Sequence, residues 1–185
     1  MKITATIITL NEERNIARAI ESLRCCDQIV VLDSSSVDRT VELAAKLGAM
    51  VVEDAWKGYA NQKNLAAIDD YFATNVIDHS LPPGAPGGIE GVKLTISMFL
   101  AAFPDLNITV EDLIAEGDRV VARWTLRGTH QGASLGMPPT GKQFTMPGIS
   151  VVRLDGGKSA EQWVVHDQLG MLQQLGLVPA PAQAG

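Results

Sequence analysis

The residues best suited to chemistry cluster near one end of the chain, in Glu161-Gln162-Trp163-Val164-Val165-His166-Asp167. The run is apolar enough for a strand, and it ends on an imidazole and a carboxylate. A carboxylate at such a point can be placed inside a pocket, where desolvation raises its pKa toward the range of a general base. Asp is also among the best helix N-cap residues, and a short amphipathic helical pattern follows in Gln168-Leu169-Gly170-Met171-Leu172-Gln173-Gln174-Leu175. Capping and catalysis are both open for Asp167. His79, His130 and His166 are candidate hydrogen-bond partners for a substrate, and each also has the plainer reading of a structural or surface histidine. No two are spaced as a metal pair on a helix, so no metal site is expected.

Strands and turns must position these groups. Four strands are expected at roughly 107–116, 119–130, 143–154 and 158–166, with hairpin turns at Gly117-Asp118 and Asp155-Gly156-Gly157. Alternation puts Val120, Ala122, Trp124, Leu126, Gly128 and His130 on one face, expected to be the interior. By the same rule Trp163, Val165 and Asp167 share a face. Val92, Ile96, Phe99 and Leu100 recur at helical spacing before Phe103-Pro104, and 75–88 reads as a loop around Leu81-Pro82-Pro83-Gly84.

The first third has a different pattern. Ile3–Leu10 is a β-branched strand, Asn11 can cap a helix carrying Ile16, Ile20 and Leu23, and Ile29-Val30-Val31-Leu32 is a continuous apolar strand. Ser36 or Asp38 can start a second helix with Val41, Leu43, Ala44 and Leu47, which Gly48 ends before Met50-Val51-Val52. A β-α-β-α-β order calls for parallel pairing with right-handed crossovers.

Bulk properties set limits. The chain has 185 residues, 46% of them hydrophobic and 19% charged, which are the proportions of a globular protein with one sizeable core or two small ones. The net charge of −6 divides as −1 over residues 1–66 and −5 over 67–185, which gives no footprint for nucleic acid or an anionic membrane. No apolar run approaches the roughly 20 residues of a membrane span. Cys25 and Cys26 are adjacent, which suits neither a zinc site nor a disulfide framework. A cytoplasmic, reduced protein is the expectation.

Two resemblances add to this reading. From about Ala67 to Leu177 the chain resembles the SnoaL-like polyketide cyclases, or ester cyclases, of the nuclear transport factor 2-like superfamily. The likeness is carried by Asp70-Tyr71-Phe72-Ala73, Asp78-His79, Phe103-Pro104-Asp105-Leu106, Glu116-Gly117-Asp118-Arg119-Val120, Trp124, Gly128-Thr129-His130, Met137-Pro138-Pro139-Thr140-Gly141-Lys142, and Trp163 with Asp167. It implies an α+β fold: a cone-shaped, curved antiparallel sheet with helices closing its open side. It also implies aldol-type ring closure with Asp167 as general acid/base and no metal or organic cofactor. Trp124, Phe144, Met146 and Trp163 would wall in a hydrophobic substrate, with His79, His130 and His166 as polar contacts. A homodimer through the sheet is a further implication.

The first third resembles the start of a family-2 glycosyltransferase. The matching residues are Thr9-Leu10-Asn11-Glu12-Glu13, Val31-Leu32-Asp33-Ser34-Ser35-Ser36-Val37-Asp38-Arg39-Thr40, Gly48-Ala49 and Trp56-Lys57-Gly58-Tyr59-Ala60-Asn61-Gln62-Lys63-Asn64. The likeness implies nucleotide binding at Asn11 and Asp33, in the crevice at the strand ends of a partial Rossmann-like segment. No Asp-x-Asp pair follows, so a complete sugar transferase is not expected.

The boundary is expected at 60/61, giving a β-α-β-α-β segment over 1–60 and a cone domain over 61–185. One helix with Leu65, Ile68 and Phe72 is expected across the join, and it or another part of residues 1–57 is expected to fill the place of a cone-closing helix that the sequence lacks. The chain reads as a chimera. Three functions remain beside the cyclase or isomerase: a non-catalytic ligand-binding module, a nucleotide-sugar binder, and a scaffold with neither activity.

Overall fold

Strand-forming Ile, Val and Thr dominate the start of the chain, and they build a small parallel sheet. The computed structural model describes residues 3–33, 36–53, 61–133 and 136–179. The sheet has the order β1 (Thr4–Thr9), β2 (Gln28–Asp33), β3 (Met50–Glu53), all parallel. Helices α1 (Ile16–Ser22) and α2 (Thr40–Lys46) form the crossovers. In central β2, Val30, Val31 and Leu32 are all buried, as a continuous apolar run requires. Ile16 and Ile20 of α1 and Ala44 of α2 pack on Val31 as a core of their own. Asn11 does not cap α1. It adopts a left-handed φ of 54°, and Asn15 precedes the helix.

The larger sheet has the order β4-β8-β7-β6-β5: β4 (Phe72–Asp78), β5 (Asn107–Glu116), β6 (Arg119–Thr129), β7 (Gln143–Asp155) and β8 (Lys158–His166). The last four pair antiparallel at the expected positions. Gly156 and Gly157, at φ 57° and 80°, make the two-residue turn before β8, which needs two left-handed residues. Register shifts at Val110/Asp112 and Arg153/Leu154 mark bulges, which bend a sheet. α4 (Ile89–Ala102) and α5 (Gln168–Gln174) accompany this sheet. Ile68, Phe72, Phe103, Leu126, Met146 and Leu175 belong to its core, which is separate from the first.

Two expectations at the join are corrected. No single helix crosses it: a 3₁₀ turn (Leu65–Ala67) leads into the four-residue α3 (Ile68–Tyr71), and Phe72 already begins β4. The segment read as a loop from residue 75 continues this strand to Asp78, and β4 pairs parallel with β8. The local pattern does not reveal the strand, because Phe72 and Val76 are buried four residues apart while Thr74, Asn75 and Ile77 are exposed, and the pairing with β8 decides it. Among the described residues the join does not supply a long closing helix. It supplies Ile68, wholly buried, and Asn61. The Asn61 amide donates to the Ile108 carbonyl at 3.0 Å and accepts from the Ile108 N–H at 2.8 Å, so it pairs with the edge of β5 as a strand would. Residues 54–60, just before it, lie outside the described residues.

Candidate functional site

Bulges and twist curve the larger sheet over a cavity of about 750 Å³, open mouth included, between its inner face and α4. α4 presents Val92, Thr95, Ile96 and Phe99, an i, i+3, i+4, i+7 stripe. The sheet presents Ile108, Leu126, Met146 and Trp124 from its central and edge strands, and Gln162, Val164 and His166 from β8. Trp124 lies flat across the backbone of Gly148: a Cβ there would come within 2.3 Å of the indole ring. Its Nε1–H donates to the Ser150 hydroxyl at 2.8 Å. The pocket therefore has a rigid aromatic floor whose polar edge is satisfied.

Polar groups occupy two places on this apolar wall. At one, the His166 ring stands 6.4 Å from Trp124, centre to centre. Burial holds the imidazole below its usual range, opposed by the neighbouring Asp167 carboxylate. At the other, Gln162 Nε2 donates to Asp78 Oδ2 at 2.6 Å, and Asp78 Oδ1 accepts from the Ser80 hydroxyl and, at 2.8 Å, from the Ser80 N–H. The hydroxyl of Thr95 also lines the cavity; its oxygen is buried with no hydrogen-bond partner among the described residues.

The expected site residues divide three ways. Trp124, Met146 and His166 meet in the cavity. Phe144 and His130 are buried beside it rather than lining it. Phe144 packs edge-on against Phe103 at 4.7 Å, and His130 lies 5.4 Å from the same ring while its Nδ1 accepts from the Thr140 N–H. Trp163 and His79 are on the far side of the sheet, with rings stacked at 4.7 Å. His79 Nε2 bonds Glu161 at 3.0 Å, and Arg119 lies 5.6 Å from the Trp163 ring centre. The hydrogen bond from His79, with that from Arg153, holds the Glu161 carboxyl below its usual range.

The face shared by Trp163, Val165 and Asp167 is thus the outer one, and Gln162, Val164 and His166 form the inner set. Alternation separates the two sets but does not say which faces inward, and here the more polar set does. Asp167 is exposed, and its Oδ1 accepts the Gly170 N–H at 2.8 Å as the N-cap of α5. Asp78, Ser80, Thr95 and Gln162 were not singled out from the sequence. Gln162 carries a signal, since it lies four residues before His166 and shares its face.

Asn11 and Asp33 do meet, at the carboxyl ends of β1 and β2. Ser36 joins them: its hydroxyl accepts the Asn11 N–H at 2.8 Å and donates to Asp33, whose other oxygen accepts the Ser36 N–H at 2.7 Å. Asn11 Oδ1 accepts from Val37 N–H at 2.9 Å. Asp33 is buried and engaged within its own loop. Ser34 and Ser35, also part of the transferase-like motif, lie outside the described residues. Among the described residues there is no group of three His, Cys, Asp or Glu side chains able to hold a metal, and no helix is long and apolar enough to cross a membrane.

Known proteins match along the same division. The family model for glycosyl transferase family 2 matches residues 4–72, and that for SnoaL-like polyketide cyclase matches residues 50–175. An uncharacterized glycosyltransferase of Rickettsia conorii is 52% identical over 93 residues, covering 48% of this chain and 33% of its own length. The lipopolysaccharide core biosynthesis glycosyltransferase LpsC of Rhizobium meliloti is 39% identical over 71 residues, covering 36% of this chain and 26% of its own length. The chain spans about a third of the length of the first of these curated relatives. Among solved structures, TsrD from Streptomyces laurentii superposes with a TM-score of 0.63 at 28% identity, covering 77% of this chain and 100% of TsrD. IdmH from Streptomyces antibioticus, assigned as a polyketide cyclase, superposes with a TM-score of 0.57 at 33% identity, covering 66% of this chain and 96% of its own. The curved sheet, the α4-covered cavity and the match over residues 50–175 together place the chain in the SnoaL-like polyketide cyclase family, behind a segment like the start of a family-2 glycosyltransferase.

Proposed function

We propose that the chain is a cofactor-independent cyclase or isomerase acting on a hydrophobic, polyketide-like substrate, with proton transfer at His166 in the cavity wall and Asp167 next to it in the chain. The observation that carries this reading is His166: a half-buried imidazole, kept neutral by burial, beside an aromatic floor. A neutral imidazole can take the proton from a C–H flanked by carbonyls. The resulting carbanion attacks a second carbonyl of the same molecule, and the imidazolium returns the proton to the new alkoxide. Asp167, the acid/base residue on family resemblance, favours the charged imidazolium from its place next in the chain.

The test is turnover of an aromatic β-keto ester by the parent and two variants. His166→Gln is expected to lose about 10²–10⁴-fold in kcat. Asp167→Asn is expected to lower kcat and to move the acid limb of the pH profile to lower pH, because the group that raises the imidazole pKa is gone. Ligand binding with parental turnover in both variants sinks the proposal. Ligand binding without turnover in the parent favours the non-catalytic binding module.

A second reading, nucleotide-sugar binding, draws on the family-2 match and on the meeting of Asn11 and Asp33 at the strand ends. It predicts a thermal shift with a uridine diphosphate sugar that is lost in Asp33→Asn. For the partner we propose a second copy of this chain on the outer face of the sheet. There the pairing places Ile114, Val121, Val151 and Trp163 in one row, with Ile149 and Val165 beside it. Val165 is 74% exposed, and Arg123 and Asp112 at the rim offer both charges to a two-fold mate. A dimer in sedimentation that dissociates in Val165→Lys is the expected result.

A further inference from the structure

The cavity holds a second polar group that the proton chemistry above leaves unused. Asp78 sits at the end of β4, opposite Gln162 of β8 in the strand register, while His166 lies four residues further along β8 on the same face. At about 3.4 Å per residue the two β8 positions are roughly 13 Å apart. Val164 lies between them on the same face, and Trp124 flanks the His166 end.

The Asp78 carboxylate is fixed in place. Gln162 holds one oxygen and Ser80 holds the other twice. A carboxylate has about four acceptor positions, so three protein donors leave one, on Oδ2, for a further donor. Gln162 is buried and Asp78 half-buried, so a hydrogen bond made on the Gln162 side is partly shielded from water. Thr95 lines the same cavity from α4, its hydroxyl oxygen buried with no partner among the described residues. An ionised carboxylate accepts only, which selects for a donor and against a carbonyl.

We propose that Asp78, aimed by Gln162 and Ser80, is an anchoring subsite that binds an alcohol or phenol hydroxyl at one end of an elongated, flat, apolar substrate, while the reacting carbons lie at the His166 end. This rests on reading the cavity as the substrate site, and it narrows the substrate class: a chain or fused-ring polyketide bearing a free hydroxyl roughly 13 Å, two strand pleats, from its acidic C–H. Asp78 acts as a positioning residue and takes no proton from the reacting centre.

The experiment compares two probes that differ by one oxygen, 2-methylanthraquinone and 2-hydroxymethylanthraquinone, by titration calorimetry on the full chain. The parent is expected to bind the alcohol about ten- to a hundredfold more tightly, the range of a hydrogen bond to a charged group. Asp78→Asn should reduce that preference several-fold and leave methyl-probe affinity unchanged. Asp78→Leu should abolish it. Gln162→Met, which removes the aiming donor, should weaken it while Asp78 stays in place. Each variant's melting temperature is read alongside, and Asp78→Asn, close in shape to the parent, keeps the test decisive if Asp78→Leu does not fold. An undiminished preference for the alcohol in a folded Asp78→Asn overturns the anchor. Equal affinity for both probes in the parent also overturns the anchor and leaves the cavity reading standing. Failure of both probes to bind overturns the cavity reading together with the anchor.

Discussion

The loop ends of β1 and β2 and the cavity under α4 are built from similar materials: a carboxylate, an amide and hydroxyls at or near the ends of apolar strands. They use them in opposite ways. Around Asp33 the carboxylate is bonded twice by Ser36, which also bonds Asn11, while the buried Thr9 hydroxyl opposite Asp33 has no partner among the described residues. In the cavity, His166 keeps its ring at the wall, Asp78 retains an acceptor position and the Thr95 hydroxyl has no protein partner. A polar group fully engaged by its own loop contributes order; one held from a single side by a fixed partner is left for a ligand.

The comparison can be broken by removing what holds each region. Trp124→Ala takes out the floor of the cavity and is expected to cost about 3–5 kcal/mol, seen as a lower urea midpoint. An unchanged midpoint would mean that the indole is not packed as described. Asp33→Asn leaves Ser36 without its charged acceptor, so the expected loss is about 1–3 kcal/mol in the same assay, with no effect on binding of anthraquinones. If it abolishes ligand binding instead, the two regions are not separate in function. Asp167→Ala removes the cap of α5 and is expected to cost about 0.5–2 kcal/mol. A much larger stability loss would show that the residue does more for the fold than cap.

The smallest effect concerns pH. Burial depresses the folded-state pKa of His166, so its contribution to stability is complete above the unfolded value of about 6.5 and is lost as pH falls from there through the folded value. Melts at pH 8 and pH 5 should therefore show a slightly larger drop for the parent than for His166→Gln. Equal drops would place the imidazole in water.

Much of this architecture was legible in the sequence. The four antiparallel strands follow from alternation, and the inner set Val120, Ala122, Trp124, Leu126, Gly128 and His130 is buried throughout. The parallel β-α-β-α-β segment was legible for the same reason: each strand is short, β-branched and bounded by turn residues. β4 was not, because its two buried residues, Phe72 and Val76, are four apart and fit a helix as well as a strand. Its pairing with β8, more than 80 residues away, decides the matter. The site was half legible. Trp124 follows from alternation on β6, while Met146 and His166 stand out only as residue types suited to wall in or bond a substrate. The inward turn of Gln162 and the outward turn of Trp163 depend on which face of β8 meets α4, and local pattern does not carry that.

The two hydrogen bonds from Asn61 to Ile108 have a consequence for solubility. β5 is the last strand of its sheet, and an unpaired strand edge is a template for joining other chains. The Asn61 amide pairs with that edge at Ile108 through a side chain, from the stretch 50–72 that both family matches share. Trimming the protein to begin beyond position 61 would expose the edge at Ile108, beside the wall of the cavity, and invite edge-to-edge aggregation. The shared stretch thus serves the cone as a protective hem at Ile108.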